Sequence, residues 1–220
     1  AAAGTIVVGD ITTGTNEVSF DSGSTAGATI DVGAIADLTG GLTLVDAGDL
    51  ATFGALGQGV TGDITVTDSQ LGVTFGGAVT ATTLTLTDTT AGEDITFQGD
   101  LVATTLTSTA TSAYDVQFDE DVTVTDDVDF GVIGTLTIGT ADDDVATFTG
   151  GVDATSATGT VTLAGAINTV DTAMDFGNVT LADGTTFDTG NGATGTIVIG
   201  DIATGTNEVS FDSGSTAGAT

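Results

Sequence analysis

Residues 4–29, GTIVVGDITTGTNEVSFDSGSTAGAT, occur a second time as residues 195–220, 191 positions later. Twenty-four of the 26 positions are identical, the exceptions being Val8/Ile199 and Thr12/Ala203. A chain that begins to repeat itself this closely is expected to be a periodic structure rather than a self-contained domain. The expected organisation is one full repeat with flanking residues over 1–194, and the start of the next, near-identical repeat over 195–220. A window from a longer tandem polymer would read this way.

Within the repeat lies a shorter period. Triplets of the form apolar–Thr/Val–apolar recur nine times, among them Ile6-Val7-Val8, Leu42-Thr43-Leu44, Ile64-Thr65-Val66, Leu84-Thr85-Leu86 and Leu136-Thr137-Ile138. Nine phenylalanines fall in the same span, from Phe20 to Phe187, and Phe211 repeats Phe20. Residues 73–84 (VTFGGAVTATTL) align with 95–106 (ITFQGDLVATTL), then with 116–122, and after a longer gap with 146–155. Apolar residues alternate with polar ones over short runs, the period of half-buried strands. Thr, Val, Ile, Gly and Asp are all poor helix formers.

One unit of roughly 21 residues, with two or three short strands between Gly and Asp turns, suits one coil of a β-solenoid. The expected fold is therefore all-β, a parallel β-helix of about nine coils per 191-residue repeat, with Phe and aliphatic ladders along one core. The chain has no Pro, as fits a fold in which nearly every N–H joins a ladder. Tandem Ig- or cadherin-like β-sandwiches are the alternative. They would call for hairpins, a core Trp or tyrosine corner and Pro at linkers, whereas Tyr114 stands alone and Asp183-Gly184 and Asn191-Gly192 are the strong hairpin dipeptides.

The V-x-F-x-G-x-V-x-A-T pattern of residues 73–163 resembles coils of filamentous-haemagglutinin-like and autotransporter passenger β-helices, found in bacterial surface fibres and giant adhesins. The resemblance implies a right-handed parallel β-helix at a cell surface, and it transfers no functional residue.

Composition removes whole classes of function. The chain holds 31 Asp and Glu, no Lys, Arg or His, and a net charge of −31. Without a cation it has no electrostatic basis for binding nucleic acid or an anionic membrane surface. No apolar run reaches the length of a membrane span. No Cys means no disulfide or thiolate metal site. No His, Cys, Lys or Arg leaves no usual base–nucleophile pair, so an enzyme is not expected. Forty per cent hydrophobic residues nevertheless sets the chain apart from disordered acidic tails. The acidic, Cys-free, Thr/Gly-rich composition suits an extracellular or cell-surface protein, and lack of Lys and Arg removes every trypsin-type cleavage site.

Residues 4–194 hold 28 of the acidic groups. Over nine coils at ~4.8 Å each this is one charge per ~1.5 Å of axis, close to the ~1.7 Å of duplex DNA. Such a rod should condense counterions; no cofactor is expected, and Ca²⁺ is the ion the carboxylates would take if they hold one. Asp142, Asp143, Asp144, Asp119, Glu120 and Asp121 form the densest runs, with Asp126-Asp127 nearby, and are the candidate Ca²⁺ ligands. They match neither the EF-hand nor the RTX nonapeptide spacing. A second candidate surface is a flat threonine face from Thr-x-Thr pairs, namely Thr65/Thr67, Thr85/Thr87, Thr105/Thr107 and Thr123/Thr125, with Thr135/Thr137 and Thr160/Thr162. Such faces look like those of ice-binding β-solenoids. Asn178-Val179-Thr180 is a glycosylation sequon. Self-association by end-to-end continuation of repeats, with cation-mediated bundling, is the expected partnership. The function to expect is structural: the shaft of an extracellular fibre or giant surface protein, with an ice-binding or adhesive solenoid as the alternative.

Overall fold

The computed structural model describes residues 4–12, 14–36, 38–56, 62–87, 89–109, 112–131, 133–192 and 194–214. Twenty-two strands and no helix are found among them. Every strand pairing is parallel, and each joins one coil to the next. That pattern excludes sandwiches, whose neighbouring strands are mostly antiparallel. The chain is a β-solenoid.

Three columns of stacked strands form its walls. Face 1 runs from Ile6–Val8 through Ile30–Val32, Ala51–Phe53, Val73–Phe75, Asp94–Phe97, Asp115–Phe118 and Leu136–Ile138. It continues through residues 161–163 and 179–181 to Ile202–Ala203. Face 2 starts with single bridges at Ile11, Ile35 and Leu56. It then takes residues 79–81 and 101–103, Val122–Val124, Val145–Phe148, residues 166–169 and 185–188, and Val209–Asp212. Face 3 holds Val18–Gly23, Leu42–Ala47, Ile64–Val66 and residues 84–86 and 105–108. Above them stand Val128–Asp129, Val152–Asp153, Ala173–Phe176 and Thr196–Ile199. Ser108 Oγ donates to the Phe130 carbonyl at 3.2 Å, which ties the upper strands of face 3 to the lower ones. The winding order is face 1, face 2, face 3.

Strand alternation sends every second residue inward. Ile95 and Phe97 are buried while Thr96 between them is half-exposed, and the same pattern holds for Val73–Phe75 and Leu136–Ile138. The core is thus one continuous column of stacked apolar side chains. On face 1, Phe53, Phe75, Phe97 and Phe118 stack with ring centroids 5.5, 4.8 and 5.2 Å apart and interplanar angles of 20°, 11° and 20°.

The phenylalanines do not form a single ladder, however. Phe20, Phe130 and Phe176 belong to face 3, and Phe148, Phe187 and Phe211 to face 2. The alignment of residues 146–155 with the coils at 73, 95 and 116 is corrected accordingly. Ala146 stacks on Val122 of face 2, and Leu136 takes the place above Val116 on face 1. All three faces need the same inward-apolar pattern, so the pattern does not say which face a strand occupies.

Corners differ in tightness. Between faces 2 and 3 the chain turns within the unbroken strands Val79–Leu86 and Leu101–Ser108. Between faces 3 and 1 it uses longer turns, and here glycine is required. Gly72 has φ +90°, and a Cβ there would stand 2.4 Å from the Asp94 carbonyl oxygen of the coil above. Tyr114 lies in the same corner, fully buried, with its hydroxyl donating to the Leu86 carbonyl at 2.9 Å and meeting Ser108 Oγ at 3.1 Å.

Candidate functional site

The acidic residues act first as turn acceptors. A carboxylate accepts hydrogen bonds without offering any, and turns leave backbone N–H groups outside the ladders. Asp21, Asp129, Asp153, Asp188 and Asp212 each take the N–H two residues on, at 2.7–2.9 Å, the Asx-turn arrangement. Others reach across to the next coil: Asp10 accepts from Ala34 N–H at 3.0 Å, Asp115 from Thr135 at 2.6 Å and Asp121 from Val145 at 2.7 Å. Asp171, the one non-glycine residue with positive φ among the described residues (56°), accepts the Gly192 N–H.

The two densest acidic runs, 23 positions apart in sequence, come together. Asp119, Glu120 and Asp121 form the corner between Asp115–Phe118 and Val122–Val124, and Asp142, Asp143 and Asp144 lie in the corner of the next coil. Thr140 Oγ1 donates to the Asp119 carbonyl at 3.2 Å, joining the two corners. Asp119, Asp121 and Asp144 each have one carboxylate oxygen engaged in hydrogen bonds. Asp144, buried, closes its own turn by accepting Thr140 and Ala141 N–H at 2.6 and 2.9 Å. The Gln117 amide donates to Asp119 at 2.5 Å. Glu120 has carboxylates for neighbours: Asp144 first, then slight burial, then Asp100, Asp121 and Asp143 raise its pKa above the ordinary 4.5. Among the described residues, no three carboxylates converge as a metal-ligating group.

Further acidic contacts follow from the stacking. Asp129, Asp153 and Asp175 pair rung upon rung along the outside of face 3. Burial and the Asp153 charge raise the Asp175 pKa, and burial and Asp115 raise that of Asp94 on the rung below it. Asp46 pairs with Asp21 and has Asp68 nearby. Its Oδ1 is shielded from solvent without a hydrogen-bond partner, and burial, then Asp68 and Asp21, raise its pKa.

The single flat threonine face is corrected. Thr65, Thr85 and Thr107 do stack, together with Thr43, on face 3, and Thr105 pairs with Thr83 beside them. Thr67 and Thr87 lie just beyond these strands, in the corner leading to face 1. Thr123 is on face 2 with Val102 below and Thr147 above, and Thr125 follows it. Thr137 and Thr162 are on face 1. The coil length varies, so a fixed spacing in sequence does not keep one face.

A longer stripe, which the Thr-x-Thr spacing does not mark, runs along face 1. Thr52, Thr74, Thr96, Gln117, Thr137, Thr162 and Thr180 stand on successive rungs, each between two inward apolar neighbours. Its signal in the sequence is the apolar–Thr–Phe runs at 51–53, 73–75 and 95–97 with the apolar–Thr–apolar triplets at 136–138, 161–163 and 179–181, whereas the triplets at 42–44, 64–66 and 84–86 belong to face 3. Asn178, the sequon asparagine, is exposed, and its Oδ1 accepts the Asp201 N–H at 2.9 Å.

Compared with known protein families, curated proteins and solved structures, the chain matches none. No helix among the described residues is long and apolar enough to cross a membrane.

Proposed function

We propose that this chain is part of a structural shaft: tandem acidic β-solenoid repeats building an extracellular fibre or giant surface protein, such as the stalk of an adhesin. The supporting observation is the placement of the second copy. Thr196–Ile199, Ile202–Ala203 and Val209–Asp212 carry the ladders of all three faces onward without a break. Axial continuity is what a load-bearing rod needs, because pulling on it loads many parallel hydrogen bonds and a stacked core together.

The dense negative surface serves solubility. Long β-rods present open ends, and charge opposes their adventitious joining. Two carboxylates ~5 Å apart repel by about 0.8 kcal/mol in water, and no Lys or Arg offsets it. Cations, Ca²⁺ among them, act in this reading as a condensed atmosphere that stabilises the rod and permits bundling. Electron microscopy of the native material, with and without EGTA, tests the proposal. The expected image is a thin filament with a ~4.8 Å axial reflection. Beads on a string without that reflection would overturn it, and fraying in EGTA would assign Ca²⁺ a specific part.

The threonine stripe of face 1 favours a second reading, an ice-binding or adhesive surface. A thermal-hysteresis measurement on folded protein separates the two, since the shaft reading expects no activity.

A further inference from the structure

The last coil has the sequence of the first, but it sits on different faces. In the first coil Ile6 lies on face 1 beneath Ile30, Ile11 on face 2 beneath Ile35, and Phe20 on face 3 beneath Leu44. Their counterparts Ile197, Ile202 and Phe211 lie on faces 3, 1 and 2, above Met174, Val179 and Phe187. The chain explains the shift. From Ile6 it returns to face 1 at Ile30, Ala51, Val73, Ile95, Val116, Leu136, Val161 and Val179, completing eight turns. It then crosses face 2 once more before Ile197 takes its place on face 3. The repeat is eight turns and two thirds, a third of a turn short of nine.

Among the described residues no strand pairs above this coil. Phe211 is 53% exposed where Phe20 is 6% exposed. Ile197, Ile199, Ile202, Phe211 and Ser213 line a hollow of about 320 Å³.

We propose that this end is closed by a further coil with the sequence of residues 30–47, and that each tandem repeat enters the shaft one face round from its predecessor. The proposal rests on the shaft reading for its second half. Ile6, Ile11, Val18 and Phe20 are covered by Ile30, Ile35, Leu42 and Leu44. The same four side chains at 197, 202, 209 and 211 require the same cover. Residues 215–220 already repeat 24–29, the connection that leads to Ile30 in the first coil. A parallel ladder presents similar edges on every face, so rotation by a third of a turn meets equivalent partners. Phe211 shows this by stacking on Phe187 at 5.3 Å and 10°.

The consequence concerns the shaft's surface. Three repeats make 26 whole turns, ~125 Å at ~4.8 Å per turn, before any residue returns to its starting face. The threonine stripe of face 1 is taken up on face 3 by the following repeat, and the Asp129, Asp153, Asp175 ladder moves round likewise. No face then carries one chemistry along the fibre, and the charge is spread evenly about the axis.

The test uses the full chain with residues 30–48 appended after Thr220. Hydrogen exchange at residues 209–212 should slow by about tenfold or more, and an appended segment of scrambled sequence should give no such slowing. In the same chain, Val198→Cys should form a disulfide with a cysteine at the appended counterpart of Asp31, as Val7 pairs with Asp31 in the first coil. In-register neighbouring strands bring Cα atoms within disulfide reach. Unchanged exchange, or a cross-link to Ala203→Cys on face 1 instead, would overturn the proposal. Neither readout needs a filament, so failure of native material to form rods would sink the shaft reading alone. In filaments, off-meridional layer lines at orders of ~125 Å are expected, and a pattern indexing only on ~43 Å would refute the rotation.

Discussion

Phe97 offers the most direct test of the stacked core. It is fully buried, with Phe75 on one side at 4.8 Å and Phe118 on the other at 5.2 Å. Phe97→Ala removes a core aromatic, a loss of about 3–5 kcal/mol in a site that cannot collapse. Two stacked ring contacts, about 0.5–1.5 kcal/mol each, are lost as well. Phe97→Leu keeps most of the apolar area and loses only the stacks, so it should cost about 1–3 kcal/mol. Urea unfolding, read as a shift in midpoint at unchanged slope, measures both. Nearest-neighbour coupling along a solenoid further predicts that native-state hydrogen exchange in Phe97→Ala quickens most over residues 73–118. A cost below about 1 kcal/mol for Phe97→Ala would refute the rigid ladder. A double-mutant cycle between Phe75 and Phe97 with no coupling would refute the stacking contribution.

Other consequences follow from the turns and the charge. Gly72→Ala places a side chain at φ +90° and 2.4 Å from the Asp94 carbonyl oxygen, so it should destabilise by at least about 1–3 kcal/mol; a neutral midpoint shift would contradict that geometry. Asp171→Asn keeps the acceptor for Gly192 and tolerates positive φ, whereas Asp171→Ala loses both, so calorimetry should find the alanine variant lower in Tm by several degrees. Asp46, Asp94, Glu120 and Asp175 have raised pKa values, so the native state binds protons more tightly than the unfolded chain. Stability should therefore increase as pH falls from neutrality through those raised values, levelling off below the ordinary 3.8 and 4.5; a Tm that drops between pH 7 and about 5 would reverse the sign of the argument. Asp153→Asn retains the acceptor for Thr155 and removes the charge beside Asp175, and NMR titration should find the Asp175 pKa lowered towards its usual range.

The legible part of this protein was the part carried by local alternation. Inward apolar and outward polar residues at a period of two, Gly and Asp at the corners, and a unit of roughly 21 residues by themselves imply a parallel solenoid. The near-identical copies at residues 4 and 195 likewise announced continuation. Lack of Lys, Arg and His argues from electrostatics alone against nucleic acid as the expected partner. What sequence alone left undecided was which rung stands on which. Three walls accept the same inward pattern, and corner lengths vary, so Phe148 looked like a neighbour of Phe118 on face 1 and proved to belong to face 2. The threonine pairs separated for the same reason, while Thr52, Thr74 and Thr96 came into line. The two acidic corners at residues 119–121 and 142–144 became neighbours through stacking. Only the closed hydrogen-bond ladders set the register, because each rung must satisfy the backbone groups of the one beneath it. The repeat has about nine coils, as the unit length implied, and the register refines this to eight turns and two thirds, which turns the second copy one face from the first.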